Sequence, residues 1–212
     1  MGSVYISDDS MIFIQNARST KSGGGFSTKK RLRVSNSSVV SLENVTAGSH
    51  GGAFTALGDV EIAGHSMVNM SNSHAETGHG GGFGTEKGLK VSNGSRLIIR
   101  NATAGNSGGG FYAKGRALIS RSTVSIQNAT ARHGGGFITI DEVVIDEMSS
   151  VSISSSRSAN QGGGFQAEGH LQVTNTSVLT LQNVTAQNYG GGFLAIGEVE
   201  IAGNSTVNIS NS

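Results

Sequence analysis

The 212-residue sequence predicts an all-β fold, a three-sided parallel β-helix with seven to eight coils of about 28 residues each. Three observations lead to this prediction. Gly-Gly-Gly-Phe or Gly-Gly-Ala-Phe recurs seven times, pairs of apolar residues recur at fixed distances behind it, and an asparagine recurs after the last pair. We expect a right-handed helix, with residues 1–212 forming one repeat domain excised from a longer array.

The phenylalanine that closes each glycine motif sets the period. Successive phenylalanines are separated by 28, 29, 28, 26, 28 and 28 residues, which is typical of stacked repeats. We place them on the first strand of each coil, pointing inward, where burial of each side chain contributes about 1.5–3 kcal/mol. The predicted core column is Phe26, Phe54, Phe83, Phe111, Phe137, Phe165 and Phe193.

Two more strands follow each phenylalanine. Apolar residues stand six and eight positions after it, and a second pair stands about eight positions further on. Spacing of two places both members of a pair on the same face of a strand. The first two such sets are Val4/Ile6 with Ile12/Ile14, and Leu32/Val34 with Val40/Leu42. Three inward-facing strands per repeat imply a coil with three corners, stacked on the next at about 4.8 Å.

The glycines before each phenylalanine are expected to form a corner. Glycine suits positions with positive φ, and positions where two backbones approach closely. The alternative, a phosphate-binding loop, lacks the helix and the Lys-Ser/Thr that such a loop requires.

An asparagine follows the third strand in most coils. Stacked asparagines can hydrogen-bond side chain to side chain, and asparagine tolerates the left-handed conformation of a corner. The predicted ladder is Asn16, Asn44, Asn72, Asn101, Asn128, Asn183 and Asn211, with Ser155 in the exceptional coil.

Composition narrows the classes of partner. The net charge is +1 and the only basic run is "TKKRLR" at residues 28–33, so we expect no nucleic-acid binding. No apolar run is long enough for a membrane-spanning helix.

Cysteine is absent, which excludes disulfides and thiolate metal sites. His50 and His79 should stand about 5 Å apart in consecutive coils. No third metal ligand is evident beside them, and we expect neither a metal nor a cofactor.

The repeat resembles that of a known family. "HGGAF" (50–54), "SGGGF" (107–111), "LENVTA" (42–47) and "IQNATA" (126–131) are similar to repeats in the passenger domains of the polymorphic outer membrane proteins, the autotransporter adhesins of chlamydiae. The resemblance covers essentially the whole chain. It implies a surface-exposed parallel β-helix used in adhesion.

The densest cluster of acidic residues is the strongest candidate in the sequence for a catalytic site. Asp141, Glu142, Asp146 and Glu147 lie in one coil, and the matching corners of neighbouring coils carry Arg116 and His170. We interpret them as solvated corner residues and expect no catalysis. An enzyme acting on polysaccharide is the alternative. An ice-binding face is another, on the small polar outward residues of the third strands, which Ile98 interrupts: Ser41, Asn69, Ser125, Ser152, Thr180 and Asn208.

The predicted function is therefore structural or adhesive, outside the cell or at its surface. The partner would be a cell-surface protein, a glycan or another copy of the chain. Apolar residues at outward positions of the first strand suggest one contact surface, formed by Ile138, Ile140, Leu194 and Ile196. The alternatives are that a loop of the same chain covers this wall, or that these residues are scattered on the surface.

Overall fold

A computed structural model describes residues 2–212, which form an all-β solenoid without helices. The chain coils about one axis, and each strand pairs in parallel with its counterpart one coil later. Three parallel sheets result, as the repeat predicts. Seven coils begin at a phenylalanine, and residues before Phe26 add the second and third strands of a preceding coil.

The first and second sheets are built from short strands. The first sheet contains Phe26–Thr28, Phe54–Ala56, Phe83–Thr85, Phe111–Ala113, Phe137–Thr139, Phe165–Ala167 and Phe193–Ala195. The second sheet contains Val4–Ile6, Leu32–Val34, Val60–Ile62, Leu89–Ser92, Ala117–Ser120, Val143–Asp146, Leu171–Val173 and Val199–Ile201.

The third sheet is longer than the sequence pattern predicts, because strand pairing resumes after the asparagine bend. Its main strands are Met11–Gln15, Val39–Ala47, Met67–Ala75, Arg96–Ala104, Thr123–Gln127, Ser150–Ser154, Val178–Gln182 and Thr206–Ser210. Four short strands continue it beyond the bend: Arg18–Ser19, Thr130–His133, Arg157–Gln161 and Thr185–Ala186.

The phenylalanines form a continuous column in the core. Each pairs in register with the phenylalanine of the next coil, and ring centroids are 4.5 to 5.2 Å apart with nearly parallel planes. This ring spacing matches the distance between neighbouring strands. The five inner rings are buried, while Phe26 and Phe193 are partly exposed. The predicted inward register is therefore confirmed.

The glycine motif contains three positions with different roles. The first glycine, such as Gly108, has a φ of +66°, which a side chain would strain. The second has no room for a Cβ: at Gly109 it would lie 2.2 Å from the Gly135 carbonyl oxygen. The third is also close to the next coil, since a Cβ on Gly110 would lie 2.5 Å from the Gly136 carbonyl oxygen, but Ala53 occupies this position in one coil and shows that the backbone there can adjust to a Cβ.

The asparagine ladder forms where it was predicted. Asn72 Nδ2 donates to Asn44 Oδ1 at 2.9 Å, and Asn101 Nδ2 donates to Asn72 Oδ1 at 2.9 Å. The other rungs follow the same pattern. All seven asparagines have φ between 51° and 54°, the left-handed conformation that asparagine tolerates.

A second polar column was missed by the sequence analysis. A serine precedes the third strand in every coil. The backbone N–H of each serine but the last donates to the hydroxyl oxygen of the serine in the next coil, as from Ser38 to Ser66 at 3.2 Å. The column is Ser10, Ser38, Ser66, Ser95, Ser122, Ser149, Ser177 and Ser205. Its inner members are buried. These bonds satisfy backbone donors at a corner, where no sheet partner is available.

The phenylalanine column generates a stability prediction. Phe111→Ala should lower the free energy of unfolding by about 3–5 kcal/mol, because the side chain is fully buried between two rings and leaves a cavity. Tyr112→Ala is the matched control, since the Tyr112 side chain lies on the outside of the β-helix and is only half-buried. Urea denaturation measures both, and equal losses would contradict the inward register.

The interrupted ladder generates a second prediction. Ser155 replaces asparagine in one coil but keeps a φ of +52°, and a notch of about 340 Å³ lies beside it, next to Asn183 and Asn211. Ser155→Asn should stabilise the protein by about 0.5–1.5 kcal/mol, because it restores hydrogen bonds to the neighbouring rungs. Thermal unfolding tests this against Ser154→Asn, which adds the same side chain outside the ladder. Stabilisation by both variants, or by neither, would contradict it.

Candidate functional site

The acidic cluster is held in contacts between coils. Glu142 pairs with Arg116 at 3.0 Å, and Glu147 pairs with Arg121 at 3.2 Å. Asp146 accepts hydrogen bonds from the Thr174 hydroxyl at 2.9 Å and from Asn175 Nδ2 at 2.7 Å. Burial acts to raise the pKa of Asp146, but these hydrogen bonds outweigh it and lower that pKa. These carboxylates therefore serve neighbouring coils instead of converging on one point.

The basic run at residues 28–33 and His170 also make contacts between neighbouring coils. The basic run contributes Arg31, which pairs with Asp59 at 3.7 Å, and Arg33, which pairs with Glu61 at 3.6 Å. His170 Nδ1 accepts a hydrogen bond from the Glu198 backbone N–H of the next coil at 2.9 Å. Within residues 2–212 no three histidine or acidic side chains come together as metal ligands would.

The two histidines that were expected to be neighbours form a stack on the outer side of the first sheet. The His50 and His79 rings are parallel with centroids 5.1 Å apart, and the Tyr112 ring continues the stack 4.6 Å from His79. The His79 backbone N–H donates to Nδ1 of His50 at 3.1 Å. Their separation agrees with the sequence prediction. The involvement of Tyr112 was not predicted, because the stack joins residues from two different positions of the repeat.

A cleft of about 200 Å³ opens beside this stack. It lies between the corner that carries the histidines and the outer faces of three first strands. Its lining consists of Ser22, His50, Thr55, Ala56, Leu57, His79, Gly84, Thr85, Glu86, Tyr112 and Lys114. Glu86 and Lys114 form an ion pair at its rim, joining two neighbouring coils.

Burial and hydrogen bonding together shift the pKa values of the groups that line the cleft. Desolvation is the main reason that the pKa of His79 is lowered, and the adjacent His50 lowers it further. Burial also raises the pKa of Tyr112. Hydrogen bonding to Glu86 raises the pKa of Lys114, so that this ammonium keeps its charge. At neutral pH the cleft thus presents a neutral His79, a neutral phenol and one balanced ion pair.

The predicted apolar wall requires a correction. Ile138 was expected to face solvent but is only 3% exposed, whereas Ile140 and Ile196 are 39% and 66% exposed. The reason is the corner before each phenylalanine, which folds against the outer face of the first strand. A Cβ on Gly134 would lie 2.3 Å from Ile138 Cγ1. In the coils after the first, residues one position after phenylalanine are wholly or partly covered by this corner, and Leu194 is half-buried in the same way.

Residues of the third sheet alternate between inward and outward positions, as the sequence pattern predicts. Its outward positions are partly exposed in the inner coils. Ile98 stands among them, and Arg100 reaches across to donate to Asn69 Oδ1 at 3.4 Å. The face is therefore not a uniform array of small hydroxyl groups.

Comparison with family models, curated proteins and solved structures finds no match to this chain. Residues 2–212 contain no helix able to span a membrane.

Proposed function

We propose that this chain is a non-catalytic structural and adhesive β-helix, displayed outside the cell or at its surface. It would contact a cell-surface protein, a glycan or other copies of itself. The repeat's resemblance to the polymorphic outer membrane proteins supports this assignment.

The observation that carries the proposal is the use of the charged side chains. All six ion pairs in the described residues join different coils, as Arg116 joins Glu142. Exposed pairs of this kind contribute only about 0–1 kcal/mol each. Opposite charges in register nevertheless favour correct stacking over a slipped alternative. This arrangement suits a scaffold, whose regular walls carry the contact surfaces.

The alternative of a polysaccharide-acting enzyme is less well supported. Glycoside hydrolysis commonly uses two carboxyl groups about 5–9.5 Å apart across the scissile bond. The cleft beside the histidine stack contributes one carboxylate, Glu86, and that group is already paired with Lys114.

Adhesion and catalysis can be separated in one assay. Beads coated with the folded chain should be retained on cultured epithelial cells or on immobilised glycans several-fold more than beads coated with the heat-unfolded chain. Soluble neutral and acidic polysaccharides incubated with the chain should keep their size distribution in gel filtration. Retention no greater than the unfolded control on every surface would contradict adhesion. Shortened polysaccharide products would instead identify an enzyme.

A further inference from the structure

Gly84 occupies a position where the fold does not require glycine. It stands directly after Phe83, in the outward column that also contains Thr55 and Tyr112. Its φ lies outside the left-handed region, and a Cβ there would meet nothing closer than 3.8 Å. By contrast, a Cβ on Gly81 would lie 2.2 Å from the Gly109 carbonyl oxygen. The effect of glycine at position 84 is to remove a side chain from the lining of the cleft.

The cleft beside Gly84 is small, and its walls combine apolar and charged side chains. Its volume of about 200 Å³ is below the range of about 300–1,000 Å³ that is usual for drug-sized ligands. Leu57 is 53% exposed and supplies an apolar surface. Tyr112 closes the side formed by the histidine stack, and Glu86 and Lys114 stand at the rim.

The charges at the rim are balanced. The Glu86 carboxylate accepts hydrogen bonds and the Lys114 ammonium donates them, so together they suit neighbouring hydroxyl groups that can do both. A ligand with a net charge would have to compete with the existing ion pair. A polyhydroxylated neutral ring, with C–H groups on one face for Leu57, matches this combination of apolar and polar surfaces.

We propose that this cleft binds one neutral hexopyranose unit of a glycan. The inference deepens the adhesive function proposed above and rests on it. The ring would lie over Gly84 with its hydroxyl groups toward Glu86 and Lys114.

Nuclear magnetic resonance titration of the whole chain tests the site directly. The probes are the methyl β-glycosides of glucose, galactose and N-acetylglucosamine, methyl α-mannoside, and sodium galacturonate as the charged counterpart. At least one neutral glycoside should bind saturably with a Kd of about 1 mM, as expected for a ligand of this size. It should shift the amide resonances of Gly84 and Tyr112. Galacturonate should bind at least about tenfold more weakly, because its carboxylate meets Glu86.

A matched pair of variants locates the binding. Gly84→Ile fills the cleft and should raise the Kd more than about tenfold, since the added side chain occupies the ligand's space while its Cβ fits without strain. Gln166→Ile places the same side chain in the same outward column but outside the cleft, and should leave the Kd unchanged. Circular dichroism and melting temperature should show that both variants remain folded.

Several results would overturn the proposal. They are the absence of saturable binding by every neutral glycoside, tighter binding of galacturonate, or an unchanged Kd in Gly84→Ile. Should Gly84→Ile fail to fold, Glu86→Gln serves in its place, and it must weaken the same glycoside. Bead retention separates this proposal from the general function. If Gly84→Ile beads are retained as well as wild-type beads, the cleft is not the adhesive site, while the general adhesive function is still supported. If a glycoside binds but no beads are retained, the adhesive function is contradicted.

Discussion

The architecture depends on one close contact between the backbones of successive coils. At the second glycine of each motif the chain passes so near the next coil that no side chain fits between them. A Cβ on Gly109 would lie 2.2 Å from the Gly135 carbonyl oxygen and 2.6 Å from the Thr130 nitrogen. This contact repeats in every inner coil and fixes where each coil lies on its neighbour. The parallel pairing of strands, the stacked phenylalanines and both polar columns all require that register.

The sequence predicts most of this fold because the fold repeats. A column such as that of the phenylalanines shows itself as one residue type at a constant spacing, and the asparagine ladder does the same. The buried serine column has an equally regular spacing. It was missed because serine is abundant in this chain, and because a hydroxyl that accepts a backbone hydrogen bond leaves no apolar signal. The extension of the third sheet was missed because the positive φ of asparagine suggests a corner, while Val45 and Thr46 resume strand pairing just beyond Asn44.

The surfaces were harder to predict than the core. Alternation along a strand places Ile138 outside the barrel, and it does lie there, but a corner of the same chain covers it. The distance between a corner and a sheet is a three-dimensional property that spacing does not contain. The cleft has the same origin. Gly84 is one of 33 glycines in the sequence, and its lack of a structural role becomes visible only when its surroundings are compared with those of the corner glycines.

Alanine substitution at adjacent glycines tests most directly whether close backbone contact sets the register. Gly109→Ala should destabilise the protein by at least the roughly 1–3 kcal/mol typical of overpacking, because the backbone atoms in its way belong to the next coil and cannot move without shifting that coil. Gly110→Ala should cost less, because Ala53 shows that the backbone at the third position can adjust to a Cβ, even though a Cβ on Gly110 would lie 2.5 Å from the Gly136 carbonyl oxygen. Equilibrium urea unfolding of the two variants measures the difference. Equal destabilisation, or a larger loss for Gly110→Ala, would contradict the account.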